Sequence, residues 1–322
     1  MDAFSRWVMM QKAILLFCIF CIGPIVPMSS ETENNMNPTD YPFVAAYFDG
    51  ANQTGLKLAA SMDGFEWEKV AVKYMPKVGN WKIFRDPSFA QTADGTFHLV
   101  WTTGSNGFGY ATSRDLLNWD DTRFIQTNRG DVNENPVFTW APEIFVDESS
   151  GRLAVLVTVA TRSWEGKLWH GNFRTFIMYQ QDDGTFSDPK LYFDPPLPFY
   201  EIDAAIVSYK EKEFIFFKKE DGLKEKPIKE KNGIHYATRD SADAAWSTPS
   251  ASNLPGNVPN SEGPSPVVVG DVLIIYYDNV PGMRAAMTEN GKEWIDVSDR
   301  LNPPDEFRHG TVRRLHGKST MN

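Results

Sequence analysis

The chain has 322 residues, 42% hydrophobic and 13% aromatic, with 23 glycines, 21 prolines and a net charge of −10. That composition supplies a sizeable core broken by many turns, and the absence of a dense Lys/Arg patch with interleaved aromatics excludes a nucleic-acid binder. Length alone allows one large domain or two small ones, and an all-β array of this size is commonly one.

At the N-terminus, Arg6 and Lys12 precede an apolar run over residues 13–26. The run is short for a bilayer span and reads as a secretory signal over residues 1–30, with a retained anchor as the alternative. Pro24, Pro27, Met28, Ser29 and Ser30 leave the cleavage point open. The expected location is extracellular, with no membrane attachment after cleavage. Cys18 and Cys21 both fall inside this segment, so the mature chain is expected to have no disulfide, thiol nucleophile or thiolate metal site. Residues 31–40 are polar and are expected as a disordered lead-in, leaving 41–322 as one domain. Asn52-Gln53-Thr54 is a glycosylation acceptor if the host is eukaryotic.

Strand-like segments then follow in a repeating order. Residues 43–48 and 56–60 and Trp67 form an incomplete unit. Complete units run over 85–119, 141–193, 202–246 and 262–294. Residues 308–313 at the end of the chain supply the first strand that the N-terminal unit lacks, a split that closes a ring. Periods of roughly 50 residues with several short strands each are the signature of a β-propeller, and the sequence predicts five blades. The turns after the third strands look alike: Ser61-Met62-Asp63-Gly64, Ser113-Arg114-Asp115-Leu116 and Thr288-Glu289-Asn290-Gly291, each followed by a tryptophan three residues on. The polar side chains of the turns at Asp63, Asp94 and Asn290 are read as turn formers, and the tryptophans as packing between blades. The run from Lys218 to Lys231 mixes lysines with Glu220, Asp221, Glu225 and Glu230 and is read as a solvated loop.

Each first strand opens on a polar or ionisable residue: Asp86, Glu143, Asp203, Glu262 and His309. Ring closure is expected to bring Asp86, Asp203 and Glu262 to one structural place over the central channel. Carboxylates crowded in this way cannot all ionise easily, so their pKa values separate and an acid and a base coexist at one pH. Glycoside hydrolysis needs such a pair. No Ser-His-Asp spacing, phosphate-cradling glycine loop or His-rich metal motif competes with it.

Arg85-Asp86-Pro87-Ser88, with residues 97–102 and 113–119, resembles the first blade of glycoside hydrolase family 43, the five-bladed arabinosidases and xylosidases. Trp140-Ala141-Pro142-Glu143, Ile202-Asp203, Ser261-Glu262-Gly263-Pro264 and Arg308-His309-Gly310-Thr311-Val312 resemble its later blade starts. The resemblance covers residues 43–313. It implies a secreted inverting hydrolase of poly- or oligosaccharides, with α-L-arabinofuranosides the first candidate substrate and β-xylosides the next. Asp86 is then the general base, Glu262 the general acid, and Asp203 the residue that orients the acid and raises its pKa. Base and acid are expected roughly 6.5–9.5 Å apart. His309 matches a channel histidine that holds a metal ion or water, so a structural calcium there is the one cofactor implied, and none is required for the chemistry. Glu143, Arg85 and Trp140 are expected to contact substrate, Trp140 by stacking; Arg85 has neutralisation of a neighbouring carboxylate as an equal alternative. Trp81, Trp164, Trp169, Phe199 and Tyr200 are further stacking candidates. Two alternatives remain: a retaining fructan-type propeller, whose Asn-Asp-Pro and Glu-Cys motifs this chain lacks, and an inactive propeller that only binds glycans.

Overall fold

A computed structural model describes residues 36–132, 138–160, 173–196, 200–220, 233–251, 254, 261–279, 282–304 and 306–315. The signal segment with Cys18 and Cys21, and Trp164, Trp169, Phe199 and the lysines of 221–231, lie outside the described residues, as does the Tyr200 side chain. Regular structure starts earlier than expected: Pro38–Asp40 is a single 3-10 turn capped by the Asn37 side chain. Among the described residues no helix is long and apolar enough to cross a membrane.

The chain forms β1 (Phe43–Asp49), β2 (Leu56–Ser61), β3 (Glu68–Val70), β4 (Arg85–Gln91), β5 (Phe97–Ser105), β6 (Gly107–Ser113), β7 (Trp119–Gln126), β8 (Phe138–Val146), β9 (Leu153–Ala160), β10 (Phe173–Tyr179) and β11 (Lys190–Phe193). It continues with β12 (Tyr200–Tyr209), β13 (Lys212–Glu220), β14 (Gly233–Arg239), β15 (Glu262–Val269), β16 (Val272–Asp278), β17 (Met283–Thr288), β18 (Ile295–Asp296) and β19 (Phe307–Arg314). These make five antiparallel sheets, ordered β19-β1-β2-β3, β4–β7, β8–β11, β12–β14 and β15–β18. The first strands β4, β8, β12, β15 and β19 neighbour one another in a closed cycle. This is the five-bladed propeller expected, closed by the C-terminal strand on the N-terminal blade. Among the described residues the β12–β14 sheet lacks its expected fourth strand. Residues 247–251 and Leu254 follow β14 through spaced bonds, such as Ser247 N to Thr238 O and Ser250 N to Tyr236 O, both 2.8 Å.

Sequence dictates much of this locally. Inner strands are covered on both faces by adjacent blades, so β9 is apolar but for Thr158 and is buried throughout, whereas the outer strand β7 is mostly polar and has no buried residue. In the repeated turns, Asp63, Asp115 and Asn290 accept from the backbone N–H groups two and three residues on, at 2.7–2.9 Å. The tryptophan after each turn packs onto the preceding blade: Trp67 on Tyr276, and Trp294 on Phe216 and Tyr236. Edge-to-face pairs of this kind add about 1 kcal/mol each beyond their buried area.

Deep in the channel, Arg313 on the closing strand ties three blades together. Its Nε donates to Phe89 O at 3.0 Å, and its Nη2 to Ile144 O at 3.1 Å and to the Glu143 carboxylate. Thr311 Oγ1 donates to the other Glu143 oxygen at 3.2 Å. Removing one partner of a buried ion pair strands the other. Arg313→Met should therefore lower unfolding stability by about 3 kcal/mol, and adding Glu143→Gln should restore most of it; urea titrations of the three variants check this, and an unchanged midpoint in Arg313→Met would contradict it.

Candidate active site

Four blades start with the same irregularity. Pairing with the second strand slips between Arg85 and Ser88, Trp140 and Glu143, Ile202 and Ala205, and Glu262 and Ser265. The first residue inside each slip is left-handed: Asp86 (φ 48°), Ala141 (41°), Asp203 (59°) and Gly263 (61°). A bulge like this breaks the alternation of the strand and re-aims one side chain. In the closing blade the slip lies between Ala46 and Phe48 on β1, opposite Thr311 and Arg308, and it leaves His309 at the matching place.

This register corrects one expectation. Asp86 and Asp203 are equivalent, but Glu262 is one place earlier, level with Arg85, Trp140, Ile202 and Arg308. Gly263 occupies the aspartates' place, and it has to be glycine: a Cβ there would sit 2.3 Å from His309 Cδ2. The space it leaves is filled by the imidazole.

His309 Nδ1 lies 3.3 Å from Asp86 Oδ1 and 3.8 Å from Asp203 Oδ2. The Gly263 N–H donates to Asp203 Oδ2 at 3.2 Å. Glu262 is gripped on both oxygens, by Lys218 Nζ at 3.0 Å and Arg308 Nη2 at 2.8 Å. Arg308 Nε also donates to Asp278 Oδ2 at 2.7 Å, and that oxygen accepts from His309 N at 3.2 Å. Ring closure thus assembles Asp86, Asp203, Glu262 and His309 as expected, together with Lys218, Asp278 and Arg308, to which the sequence reading gave no role.

Lys218 and Asp278 share a signal that register reveals. Each is the cross-strand partner of the last regular residue before a bulge, opposite Ile202 and Glu262 respectively. Thr102 holds that place opposite Arg85, and its Oγ1 accepts from Ala141 N at 2.8 Å; Phe48 holds it opposite Arg308 and lies under the Arg85 guanidinium at 5.5 Å. In four of the five blades this second-strand residue reaches the next blade.

The charges divide accordingly. Burial raises the Asp203 pKa to about 6, with Glu262 and Asp86 adding to the rise and His309 and Lys218 opposing it. Burial disfavours charge on His309, but Asp203, Asp86, Glu262 and Asp278 outweigh it and raise its pKa. Burial also disfavours the Glu262 carboxylate, yet Lys218, His309 and Arg308 prevail and hold its pKa below the ordinary value. The cations around Glu262 thus outweigh any rise that Asp203 gives it, and in the free protein Asp203 is the carboxyl whose pKa is raised. Burial likewise pushes Glu201 up to about 9. Its contacts are Thr175 N at 3.1 Å and Arg174, on the second blade, so it stands outside the channel group.

Of the other expected contacts, Arg85 Nε is 4.0 Å from Asp86 Oδ1, an ion pair without a hydrogen bond, and its side chain is partly exposed. Trp140 stands at the mouth, level with Glu262, and stacks on Phe138 and Phe173. Glu143 is not brought to the mouth. It sits beyond the bulge with both oxygens engaged by Arg313 and Thr311, so its place is structural. The donors around His309 suit a metal poorly: among the described residues no three His, Cys, Asp or Glu side chains form a cation-binding group. His309 Nδ1 faces two carboxylates at ion-pair distance.

Residues 40–320 match the family model described as "Probable glycosyl hydrolase domain", glycosyl hydrolase 43-related. The chain belongs to this family. No curated protein matches the sequence. Among solved structures, an α-L-arabinofuranosidase from Clostridium thermocellum is similar at 14% identity over 76% of this chain and 84% of that one, with a TM-score of 0.55. An α-L-arabinofuranosidase from Lactobacillus brevis is similar at 14% identity over 67% and 72%, TM-score 0.52. An endo-1,4-β-xylanase from Bacteroides thetaiotaomicron is similar at 14% identity over 79% and 89%, TM-score 0.51. At these identities the likeness is one of fold.

A carboxyl whose folded pKa exceeds its unfolded value stabilises the fold fully below the unfolded value and loses that contribution as pH rises through the folded one. For Asp203 the window runs from its ordinary 3.8 to about 6, over which the contribution falls by on the order of 3 kcal/mol. The stability difference between wild type and Asp203→Asn should therefore shift in the variant's favour from pH 4 to pH 7 in urea titrations; a difference independent of pH would contradict the assignment.

Proposed function

We propose that this protein is a secreted glycoside hydrolase that cleaves terminal glycosidic bonds of poly- or oligosaccharides with inversion, α-L-arabinofuranosides being the first candidate and β-xylosides the second. The observation that supports this reading best is the convergence of Asp86 and Asp203 on His309, with Glu262 one register place away, in a chain of this family. In this reading Asp86 takes a proton from the attacking water, Glu262 protonates the departing oxygen, and Asp203 orients Glu262. His309 holds the two aspartates close despite their like charge.

The grip of Lys218 and Arg308 on Glu262 adds a condition. An acid must carry a proton, and two cations on a carboxylate oppose it. Glu262 has to acquire its proton as substrate excludes water and displaces one of these donors. The same observation favours a second reading, in which Asp203, the carboxyl with the raised pKa, is the donor.

Leaving-group chemistry separates the two. A dinitrophenol departs without protonation, so loss of the acid costs little on a dinitrophenyl glycoside and about 10²–10⁴-fold on an alkyl glycoside. Glu262→Gln should show this contrast, Asp203→Asn should lose activity on both, and Asp86→Asn should lose about 10²–10⁴-fold on both. The contrast appearing in Asp203→Asn instead would transfer the donor role. A panel of aryl furanosides and pyranosides identifies the sugar, and NMR of the first anomer released reads the stereochemistry, net retention being the result that overturns inversion.

A further inference from the structure

Register sets two carboxylates against each other. Glu262 and Asp278 are direct cross-strand partners, the last regular pair before the β15 bulge, and like charges in that relation destabilise a sheet. Asp278 is fully buried, so water does not relieve the conflict. Arg308 does. Its Nη2 donates to Glu262 Oε1 at 2.8 Å and its Nε to Asp278 Oδ2 at 2.7 Å, so one guanidinium bridges the pair. Its stem is seated on the turn after β1, where a Cβ on Gly50 would lie 2.9 Å from Arg308 Cγ. The His309 N–H also donates to Asp278 Oδ2, at 3.2 Å. Asp278 Oδ1, in contrast, is buried with no hydrogen-bond partner among the described residues.

Stability alone disfavours this arrangement, since a buried carboxylate with an unpartnered oxygen, set opposite a second carboxylate, is destabilising. A neutral residue at 278 would let Arg308 give its whole charge to Glu262. That would strengthen an ion pair and disable an acid. Glu262 faces Lys218 on β13 and Arg308 and His309 on β19, all of which favour its ionised form. On the negative side, Asp86 on β4 and Asp203 on β12 sit against His309, whereas Asp278 on β16 binds the same guanidinium as Glu262. The two carboxyls sense each other directly. Burial is the main cause that raises the Asp278 pKa, Arg308 and the His309 N–H oppose the rise, and Glu262 adds to it; such coupling is reciprocal.

We propose that Asp278 is a positioning residue that keeps Glu262 protonable, by holding Arg308 in place and taking up part of its charge. The inference rests on the reading of Glu262 as the general acid. It extends that reading, because part of the role expected of Asp203 passes to a buried residue on the second strand of the acid's own blade. When substrate displaces Lys218, the cation left on Glu262 is the one whose charge Asp278 already shares.

Asp278→Asn keeps an acceptor for Arg308 and removes the charge. The probes are an alkyl and a dinitrophenyl glycoside of the sugar that the aryl panel identifies. With the alkyl glycoside, kcat/KM falls on the basic side of its pH profile as the acid ionises. In Asp278→Asn this limb should move about one pH unit lower, a loss of about tenfold confined to pH values above it, and the dinitrophenyl profile should show no such shift. An unmoved limb, or a uniform loss at every pH, overturns the proposal while the leaving-group contrast of Glu262→Gln still supports the acid. Absence of that contrast in Glu262→Gln overturns the acid reading and the proposal with it. Carbon-13 NMR of the side-chain carboxyls reads the coupling without substrate and without the Asp278 variant. Glu262→Gln should make Asp278 titrate about one pH unit lower than in wild type; an unchanged Asp278 titration overturns the proposal even if Asp278→Asn fails to fold.

Discussion

The chemistry of this propeller depends on a left-handed residue at the mouth of four of its five first strands. An ordinary strand alternates its side chains between two faces, and neither face looks down the channel. The bulges at Asp86, Ala141, Asp203 and Gly263 break that alternation at one height in the ring. Two of the four are aspartates, which accept a conformation that costs an ordinary L-residue about 1–2 kcal/mol. The cost is borne by the sheets on either side, where pairing resumes at once and the strands are buried. A strained conformation held by rigid surroundings fixes a side chain more tightly than a loop could.

Geometry alone would leave an unstable cluster. Four carboxylates, on Asp86, Asp203, Glu262 and Asp278, converge there, and the fold answers with His309, Lys218 and Arg308 placed between them. The cations are not spread evenly. Arg308 and Lys218 neutralise Glu262, Arg308 and the His309 backbone N–H bind Asp278, and the imidazole of His309 is shared by the two aspartates. Unequal sharing is what separates the pKa values, lowering that of Glu262 and raising that of Asp203. Gly263 is part of the same arrangement, because the shared imidazole occupies the volume of its missing side chain.

Much of this was legible in the chain. Repeated Asp/Asn turns followed by tryptophan revealed the blades, since each turn makes its own local hydrogen bonds and each tryptophan needs a neighbouring sheet. The split first strand at residues 308–313 revealed the closure. The channel residues Asp86, Asp203, Glu262 and His309 stood out because acids at the start of apolar runs are costly to bury without a purpose. Register was less legible. A bulge shifts side chains by one place without changing the apolar pattern, so Glu262 looked equivalent to the aspartates, and Glu143 looked like a mouth residue although it lies beyond its bulge. Lys218 was hidden in a mixed-charge run whose composition says solvent. Its partner lies 44 residues away on another blade, and only cross-strand pairing with Ile202 shows that it points to the channel.

The account turns on sugar binding at this mouth, between the aspartates and Glu262. The most direct measurement is a crystal structure of the Asp86→Asn protein soaked with an arabino- or xylo-oligosaccharide. The account predicts a sugar ring over His309, its anomeric carbon facing residue 86 and its glycosidic oxygen facing Glu262, with the chain leaving past Trp140. Saccharide bound on another face of the propeller, with the mouth holding only water, would contradict it.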